Sequence, residues 1–328
     1  MLTTTEKSAP ATALDGYRPI PFVALRLLGT AGISVYCLRE QDPKPELLCN
    51  LRQPLDEKQI AEIKSHDYVS LLVLKQDFPT VSQKLHAIVD STLADTSISI
   101  EVRFALLQIA YAEELDRHFC KARLEQYVVL AQKVGKKISA LLQQGEVSIL
   151  ELHFHAHHNS ANYTHVTNVA AYAVILAQAL NPSTPEELDR IAVGCLLHEV
   201  GKLYLPQSVL TKKGRLSARD HQELESIPQL AYEALLEFEE IDFGQLMMAY
   251  QQHERVDGTG YPVRYLAEDI HPWAKLLAVV DVFDAMTNDR DYRSAMNMRD
   301  VLVHLADRSK THFAPEVVLC MITNFQSP

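Results

Sequence analysis

The sequence predicts a mainly α-helical chain that begins with a small α+β module. Only 11 glycines occur among 328 residues, which favours helices over a turn-rich β architecture. Short apolar runs separated by Gly and Pro turns are confined to residues 21–78. From Thr80 onwards, apolar residues recur with helical spacing. The hydrophobic fraction of 47% is enough to bury a sizeable core.

The N-terminal half divides into three predicted parts. Residues 1–17 are small and polar, and we expect them to form a disordered tail. Residues 18–80 are expected to form a regulatory α+β module with strands at FVALRLL, ISVYCLRE, ELLCNL and YVSLLVLK, and a helix at LDEKQIAEIKSHD. Residues 81–149 are expected to be a helical connector, and they are a candidate surface for a homodimer. The remaining residues, 150–328, are predicted to form an all-helical domain.

One helix of this domain has clear end signals. Thr184-Pro185-Glu186-Glu187 is a capping box with Pro at the first helical position. The helix that follows is apolar on one face and is expected to end near Gly201. His198 and Glu199 therefore lie in its predicted last turn.

Two further apolar helices each carry polar groups. His165 begins one of them, and Asp281 and Asp284 lie three apart on one face of the helix Trp273–Thr287. A buried carboxylate is costly unless it is paired or metal-bound. Imidazole and carboxylate groups from three helices therefore predict a divalent metal that activates water, and the alternative for each residue alone is a satisfied polar group in the core.

The segment Gln251–Pro262, QQHERVDGTGYP, predicts a rigid functional loop. Two glycines and a proline within six residues indicate a tight, preorganised turn. Its neighbouring imidazole and carboxylates suit metal or phosphate chemistry better than a hydrophobic core.

Together these motifs resemble the HD phosphohydrolase superfamily. The residues that carry the resemblance are His165, His198-Glu199, Gly201-Lys202 and Asp281, and the segments HERVDGTGYP and DVFDAMTNDRDYR narrow it to the HD-GYP branch. The resemblance covers about residues 150–328. It implies an all-helical domain that hydrolyses cyclic di-GMP at a centre of two or three metal ions, often iron or manganese.

The resemblance also implies a role for each residue. The implied metal ligands are His165, His198, Glu199, His253 and Asp281, and the implied catalytic residues are Glu199, Lys202 and Asp281. The implied contacts with cyclic di-GMP are Lys202, Tyr261, Arg290 and Arg293, the alternative for the two arginines being a solvated, ion-paired loop. Asp284 is expected to orient Lys202 or a ligand histidine.

Four positions depart from the family pattern. The family's HD pair is His198-Glu199 here, and a family histidine before Pro is replaced by Ile227. Gln252 stands where the family has another histidine, and Ala161 stands where some members have a glutamate. We therefore expect one divalent Fe or Mn ion, or none, rather than two or three. The segment HFHAHH at 153–158 is a candidate source of a substitute ligand.

These departures leave three functional hypotheses. The favoured one is a protein of weak or no activity that acts by binding cyclic di-GMP or a partner. The second is an active phosphodiesterase that opens cyclic di-GMP to pGpG and GMP. The third, a one-metal phosphohydrolase for another nucleotide, is disfavoured by the intact GYP segment.

Composition and the GYP loop bear on partners and location. The net charge of −11 argues against a DNA-binding protein. The sequence shows neither a signal peptide nor an apolar run long enough for a membrane span, and its five scattered cysteines fit reduced thiols, so we expect a bacterial cytoplasmic protein. By resemblance, the GYP loop docks GGDEF-domain or other signalling proteins. The alternative is that it only closes the pocket.

Overall fold

The fold is seen in a computed structural model. It describes residues 16–39, 42–53, 55–64, 68–155, 162–181, 183–212, 214–288 and 294–325. The predicted disordered tail thus falls almost entirely outside the described residues. The chain divides into two compact units, Met1–Glu113 and Glu114–Pro328.

The first unit combines a four-stranded antiparallel sheet with helices. Its strand order is β1-β4-β2-β3, and β2 faces β4 with Tyr36 opposite Leu72. Val35 and Cys37 of β2 are buried on either side of half-buried Tyr36, as on a pleated surface packed on one face, whereas Leu71, Leu72 and Val73 of β4 are buried in succession. In chain order the elements are β1 (Tyr17–Ile20), α1 (Ala24–Leu28), β2 (Ser34–Arg39), β3 (Asp42–Asn50), α2 (Glu57–Lys64), β4 (Tyr68–Leu74), α3 (Phe78–Ala87), α4 (Val89–Ala94) and α5 (Ile100–His118), and the boundary between the units falls within α5.

One predicted strand of this unit is wrong. FVALRLL was expected to be extended, but Ala24–Leu28 forms helix α1, with Ala24, Leu25 and Leu28 buried. A short, fully apolar run has no period that separates a strand from a buried helix, and here tertiary packing selects the helix. The first strand is instead Tyr17–Ile20, which pairs with β4.

The second unit is entirely helical in its described residues. In chain order it contains α6 (Leu124–Leu142), α7 (Ile149–His155), α8 (Asn162–Leu180), α9 (Pro185–Leu197), α10 (Gln207–Leu210), α11 (Ala218–Glu225), α12 (Ile227–Leu235), α13 (Phe243–Gln251), α14 (Pro272–Thr287), α15 (Met298–Asp307) and α16 (Pro315–Asn324). Helix α8 packs against α6, α9, α14 and α16. Its apolar side chains are buried around its whole circumference, as expected for a central helix.

Helix α9 is held at close range by two neighbours. The predicted capping box is present, with the Thr184 side chain and the Glu187 backbone and side chain exchanging hydrogen bonds. A Cβ atom at Gly135 of α6 would lie 2.7 Å from the Val193 side chain. A Cβ atom at Gly194 would collide with the sulfur of Met248 on α13. The two glycines therefore allow α6 and α13 to approach the backbone of α9 from different sides.

Helix α6 belongs to this second unit, which begins at Glu114. The sequence assigned α6 to a connector that ends at residue 149. The hydroxyl of Tyr127 on α6 donates to the carbonyl oxygen of Leu196 at 2.8 Å, within one turn of His198 and Glu199. The role of residues 81–149 as a connector stays a prediction. No helix in the described residues is long and apolar enough to cross a membrane.

Candidate metal centre

Three helices bring imidazole and carboxylate groups together in the helical unit. His165 lies in the first turn of α8, and Asp281 and Asp284 lie on α14. His198 caps the C-terminus of α9, which ends at Leu197 rather than near Gly201. Glu199 then begins a 3₁₀ helix at Val200–Tyr204. The tightening of the chain there turns both side chains of the pair inward, where each is buried.

The group most suited to bind metal consists of His165, His198 and Glu199, whose ligand atoms lie within 4.8 Å of one another. Asp281 contributes a fourth group, because its Oδ1 lies 3.1 Å from Nε2 of His165 and 3.8 Å from Nε2 of His198. Nitrogen and carboxylate oxygen donors of this kind suit iron, manganese or zinc.

The ring of His198 supplies the strongest sign of a metal ligand. Its Nδ1 donates to the carbonyl oxygen of Cys195 at 2.6 Å, so Nε2 carries no proton when the ring is neutral. That Nε2 is buried and has no hydrogen-bond partner among the residues that the structure describes. Since buried polar atoms are nearly always satisfied, a free lone pair aimed at neighbouring carboxylates fits a metal ion.

The ring of His165 is oriented by polar groups behind it. Its Nδ1 lies 2.7 Å from Oδ2 of Asp284, whose Oδ1 accepts from the Asn168 side chain at 3.0 Å. This carboxylate–histidine arrangement fixes the ring and points Nε2 towards the group. Burial lowers the pKa of His165, but the surrounding carboxylates outweigh burial and raise that pKa to about 9.

The carboxylate of Glu199 is ionised and already paired. Burial raises the pKa of Glu199, but Lys202 and the two histidines outweigh burial and lower it to about 2. The ammonium of Lys202 contacts Glu199 Oε1, the same oxygen that lies 3.6 Å from Nε2 of His165. Asp281 also has its pKa well below the usual range: burial opposes this shift, and the hydrogen bond from His165, 3.1 Å away, together with the nearby histidine rings more than compensates.

Two positions that depart from the family pattern offer no ligand. Gln252 is buried, and its amide nitrogen donates to the carbonyl oxygens of His198 at 2.8 Å and Ala249 at 2.9 Å. Ile227 is a buried apolar residue at the start of α12. Its carbonyl oxygen lies so close to Gly201 that a Cβ atom at Gly201 would collide with it. Among the described residues, the group that could hold a metal ion is therefore His165, His198 and Glu199, with Asp281 beside them.

The GYP loop is held in shape by a buried carboxylate. Oε1 of Glu254 accepts from the backbone N–H groups of Val263 at 2.7 Å and Arg264 at 3.0 Å, and Oε2 accepts from that of Tyr265 at 3.1 Å. Gly260 lies against the backbone of residues 253–255, where a side chain has no space. The prediction of a rigid loop thus has a specific physical basis.

His253 and Tyr261 form a pair inside this loop. Their ring centroids are 5.0 Å apart, and the backbone N–H of Tyr261 donates to the carbonyl oxygen of His253 at 3.2 Å. Burial lowers the pKa of His253 to about 4, so its ring is neutral at pH 7. Burial likewise raises the pKa of Tyr261 to about 12. The structure places the ring of His253 against Tyr261, and the group of His165, His198 and Glu199 does not include it. Its role as a metal ligand stays a prediction.

Some predicted residues are placed elsewhere or are not described. Arg290, Arg293, Ala161, His157 and His158 lie outside the described residues. In the remainder of HFHAHH, His153 lies 3.3 Å from the Tyr172 hydroxyl, and exposed His155 contacts the carbonyl oxygen of Glu151 at 2.9 Å. Neither of these two histidines belongs to the metal-binding group.

Sequence reasoning missed three residues that shape the site. Asn168 lies three residues after His165 on the same helical face, so its spacing could have indicated a shared partner. Glu254 belongs to the loop motif, but no local pattern indicates that its carboxylate binds three backbone N–H groups nine to eleven residues further on. Tyr127 had no local signal, because its hydrogen bond joins residues 69 positions apart.

Comparisons with known proteins agree with this geometry. The family model described as "HD domain" matches residues 147–317. A cyclic di-GMP phosphodiesterase of Pseudomonas aeruginosa is 34% identical over 159 residues, covering 48% of this chain and 38% of that protein. A cyclic di-GMP phosphodiesterase response regulator of Xanthomonas campestris pv. campestris is 36% identical, covering 44% and 39%. A 3'3'-cGAMP-specific phosphodiesterase of Vibrio cholerae is 31% identical, covering 49% and 31%.

The matched segment thus spans less than half the length of these relatives. Among solved structures, an HDG"Y"P protein from Bdellovibrio bacteriovorus has a TM-score of 0.65 at 15% identity, and the match covers 95% of this chain and 100% of that one. That likeness concerns the fold. The helical architecture, the His and carboxylate group and the matching family model together show that the chain belongs to the HD domain family.

Proposed function

We propose that the chain binds cyclic di-GMP at a site that holds at most one divalent metal ion and hydrolyses the nucleotide slowly, if at all. The observation that carries this proposal is the side chain of Gln252. Its amide nitrogen is committed to two backbone carbonyl oxygens at a position where the family has a histidine. With Ile227 apolar at another such position, the donor set suits one ion.

The proposed ligands of this ion are His165, His198, Glu199 and Asp281. A metal held there would polarise a bound water or phosphate oxygen. The protein's own contribution is orientation: Asp284 fixes the ring of His165, and the Cys195 carbonyl oxygen fixes the ring of His198. Lys202 would provide a positive charge for a phosphate, and Tyr261 a ring and hydroxyl for a base. We assign phosphate contacts to Arg290 and Arg293 on their motif positions alone.

Metal content and turnover measured on the same sample test the proposal. We expect anaerobically purified protein to contain no more than one metal per chain and to bind cyclic di-GMP. Hydrolysis should be at least about a hundredfold slower than in the Pseudomonas relative, the scale of losing one charge-stabilising group. Two or more metals per chain with comparable turnover would contradict it. Because some relatives are named for 3'3'-cGAMP, both nucleotides should be assayed.

A triple variant gives the complementary gain-of-function test. Glu199→Asp, Ile227→His and Gln252→His together restore the family's ligand types. We expect this variant to bind additional metal and to hydrolyse cyclic di-GMP faster than the parent chain. If it gains neither metal nor activity, the assignment of these positions is wrong.

The active phosphodiesterase is the second candidate function. The free lone pair on His198 Nε2 favours it, because a buried atom of this kind is prepared for a metal. Both candidates share a proposed docking role for the GYP loop towards GGDEF-domain or other signalling proteins. Two features support this docking role: the rigid shape of the loop around Glu254, and the exposed apolar side chains of Val263 and Leu266. Homodimerisation and a cytoplasmic location are also proposals.

A further inference from the structure

The ion pair between Lys202 and Glu199 places two cations in competition for one oxygen atom. The Lys202 ammonium contacts Oε1 of Glu199, and that oxygen also faces Nε2 of His165 at 3.6 Å. The Glu199 side chain is 9% exposed, whereas that of Lys202 is 35% exposed. A divalent ion bound between the imidazole and the carboxylate would need the oxygen that the ammonium contacts.

The ammonium can leave without a change of backbone. Lys202 and Glu199 are separated by three residues in a 3₁₀ helix, and the backbone N–H of Lys202 donates to the carbonyl oxygen of Glu199 at 3.0 Å. This backbone bond is independent of the side chains. Because the lysine side chain is flexible and partly exposed, its ammonium group can turn into water, where it is hydrated.

We propose that Lys202 competes with the divalent metal for Glu199, so that the metal binds fully only when the ammonium has turned away. This inference rests on the proposed one-metal site. Lys202 is thereby a residue that sets metal affinity, in addition to its proposed contact with phosphate. The competition is electrostatic and local: one unit charge on the carboxylate is neutralised either by the ammonium or by the metal.

A Mn²⁺ titration followed by electron paramagnetic resonance tests this directly on the full chain. Removing the ammonium in Lys202→Met should strengthen Mn²⁺ binding by about tenfold, the scale of losing one competing hydrogen bond to a charged group. Lys212→Met is the matched control, since Lys212 makes a comparable ion pair with Asp220 away from the site. Its affinity should equal that of the parent chain. Unchanged, weaker or absent Mn²⁺ binding in Lys202→Met overturns the proposal.

A double-mutant cycle separates competition from general charge repulsion. Glu199→Gln keeps both histidines and Asp281, but removes the carboxylate for which the cations compete. The gain from Lys202→Met should vanish in the Glu199→Gln background. An equal gain there means that Lys202 acts through space, which overturns the proposal.

Thermal melting in EDTA shows whether each variant is folded. Lys202→Gln, also neutral but polar, replaces Lys202→Met if the latter does not fold, and the same tenfold gain is expected. The titration contains no nucleotide. Its failure is therefore distinct from a failure to bind or hydrolyse cyclic di-GMP.

Discussion

Replacing Gln252 by histidine should exchange protein stability for metal affinity. The parent amide is buried and donates two hydrogen bonds, to the carbonyl oxygens of His198 and Ala249. A neutral imidazole has no NH₂ group and a single ring N–H, so it cannot donate to both oxygens as the amide nitrogen does. In the absence of metal, Gln252→His therefore loses both bonds and leaves buried carbonyl oxygens with fewer donors.

The size of the effect follows from these two bonds. Each neutral hydrogen bond contributes about 1 kcal/mol, so the free energy of unfolding should fall by about 2 kcal/mol. For a unit of this size, that corresponds to a melting temperature lowered by roughly 4–8 °C in EDTA. If the new imidazole ligates Mn²⁺, a concentration one hundred times Kd returns about 2.7 kcal/mol and restores the melting temperature.

Differential scanning fluorimetry in EDTA and in Mn²⁺ measures both effects. Gln143→His is the matched control, because exposed Gln143 also donates twice, to the carbonyl and hydroxyl oxygens of Ser139. Its melting temperature should change by less than about 2 °C, because exposed groups are solvated when a bond is lost. The reasoning is refuted if Gln252→His is as stable as the parent in EDTA, or if Mn²⁺ stabilises the two proteins equally.

Three further predictions follow from single contacts. Glu254→Ala should speed hydrogen exchange at the three loop amides that donate to Glu254, by the equivalent of about 1.5–3 kcal/mol, and Glu254→Gln should have an intermediate effect. Unchanged exchange, measured by mass spectrometry, would contradict the view that Glu254 holds the loop. Tyr127→Phe should lower the free energy of unfolding by about 1 kcal/mol in urea, because the Leu196 carbonyl oxygen loses a buried donor, and an unaltered urea midpoint argues against that bond. The pKa of His165 is about 6.5 in the unfolded chain and is raised to about 9 in the folded protein, so protonated His165 stabilises the fold fully below pH 6.5 and this contribution is lost as the pH rises through 9. Urea unfolding of metal-free protein should show this pH dependence of the free energy of unfolding, and His165→Gln should abolish it.

The metal-binding group was predictable because its members interrupt apolar helices. His165 and Asp281 are polar positions within otherwise apolar helical segments, and such groups need a partner wherever the helix is buried. The motif resemblance then joined them to the His198-Glu199 pair. The structure brings these four residues together, and it adds Asn168 behind Asp284.

Other features depend on contacts that no local pattern encodes. FVALRLL is apolar throughout, so only packing around Leu25 and Leu28 decides that it is helical. Gln252 has several side-chain torsions, and the carbonyl oxygens that select among them come together only in the folded chain. The pairing of Lys202 with Glu199 follows from the 3₁₀ turn after His198, where an ordinary helix was expected.

The glycine contacts of α9 make the position of the metal-binding group depend on residues that have no side chain. A methyl group at Gly135 would meet the backbone of Val193 and displace α9, whereas one at Gly194 would meet the flexible side chain of Met248. The backbone of Ile227 is set against Gly201 with equally little clearance. Crowding at Gly135 or Gly201 would therefore shift the backbone that carries His198 and Glu199, so positions with no donor atom of their own set the geometry of the metal-binding group.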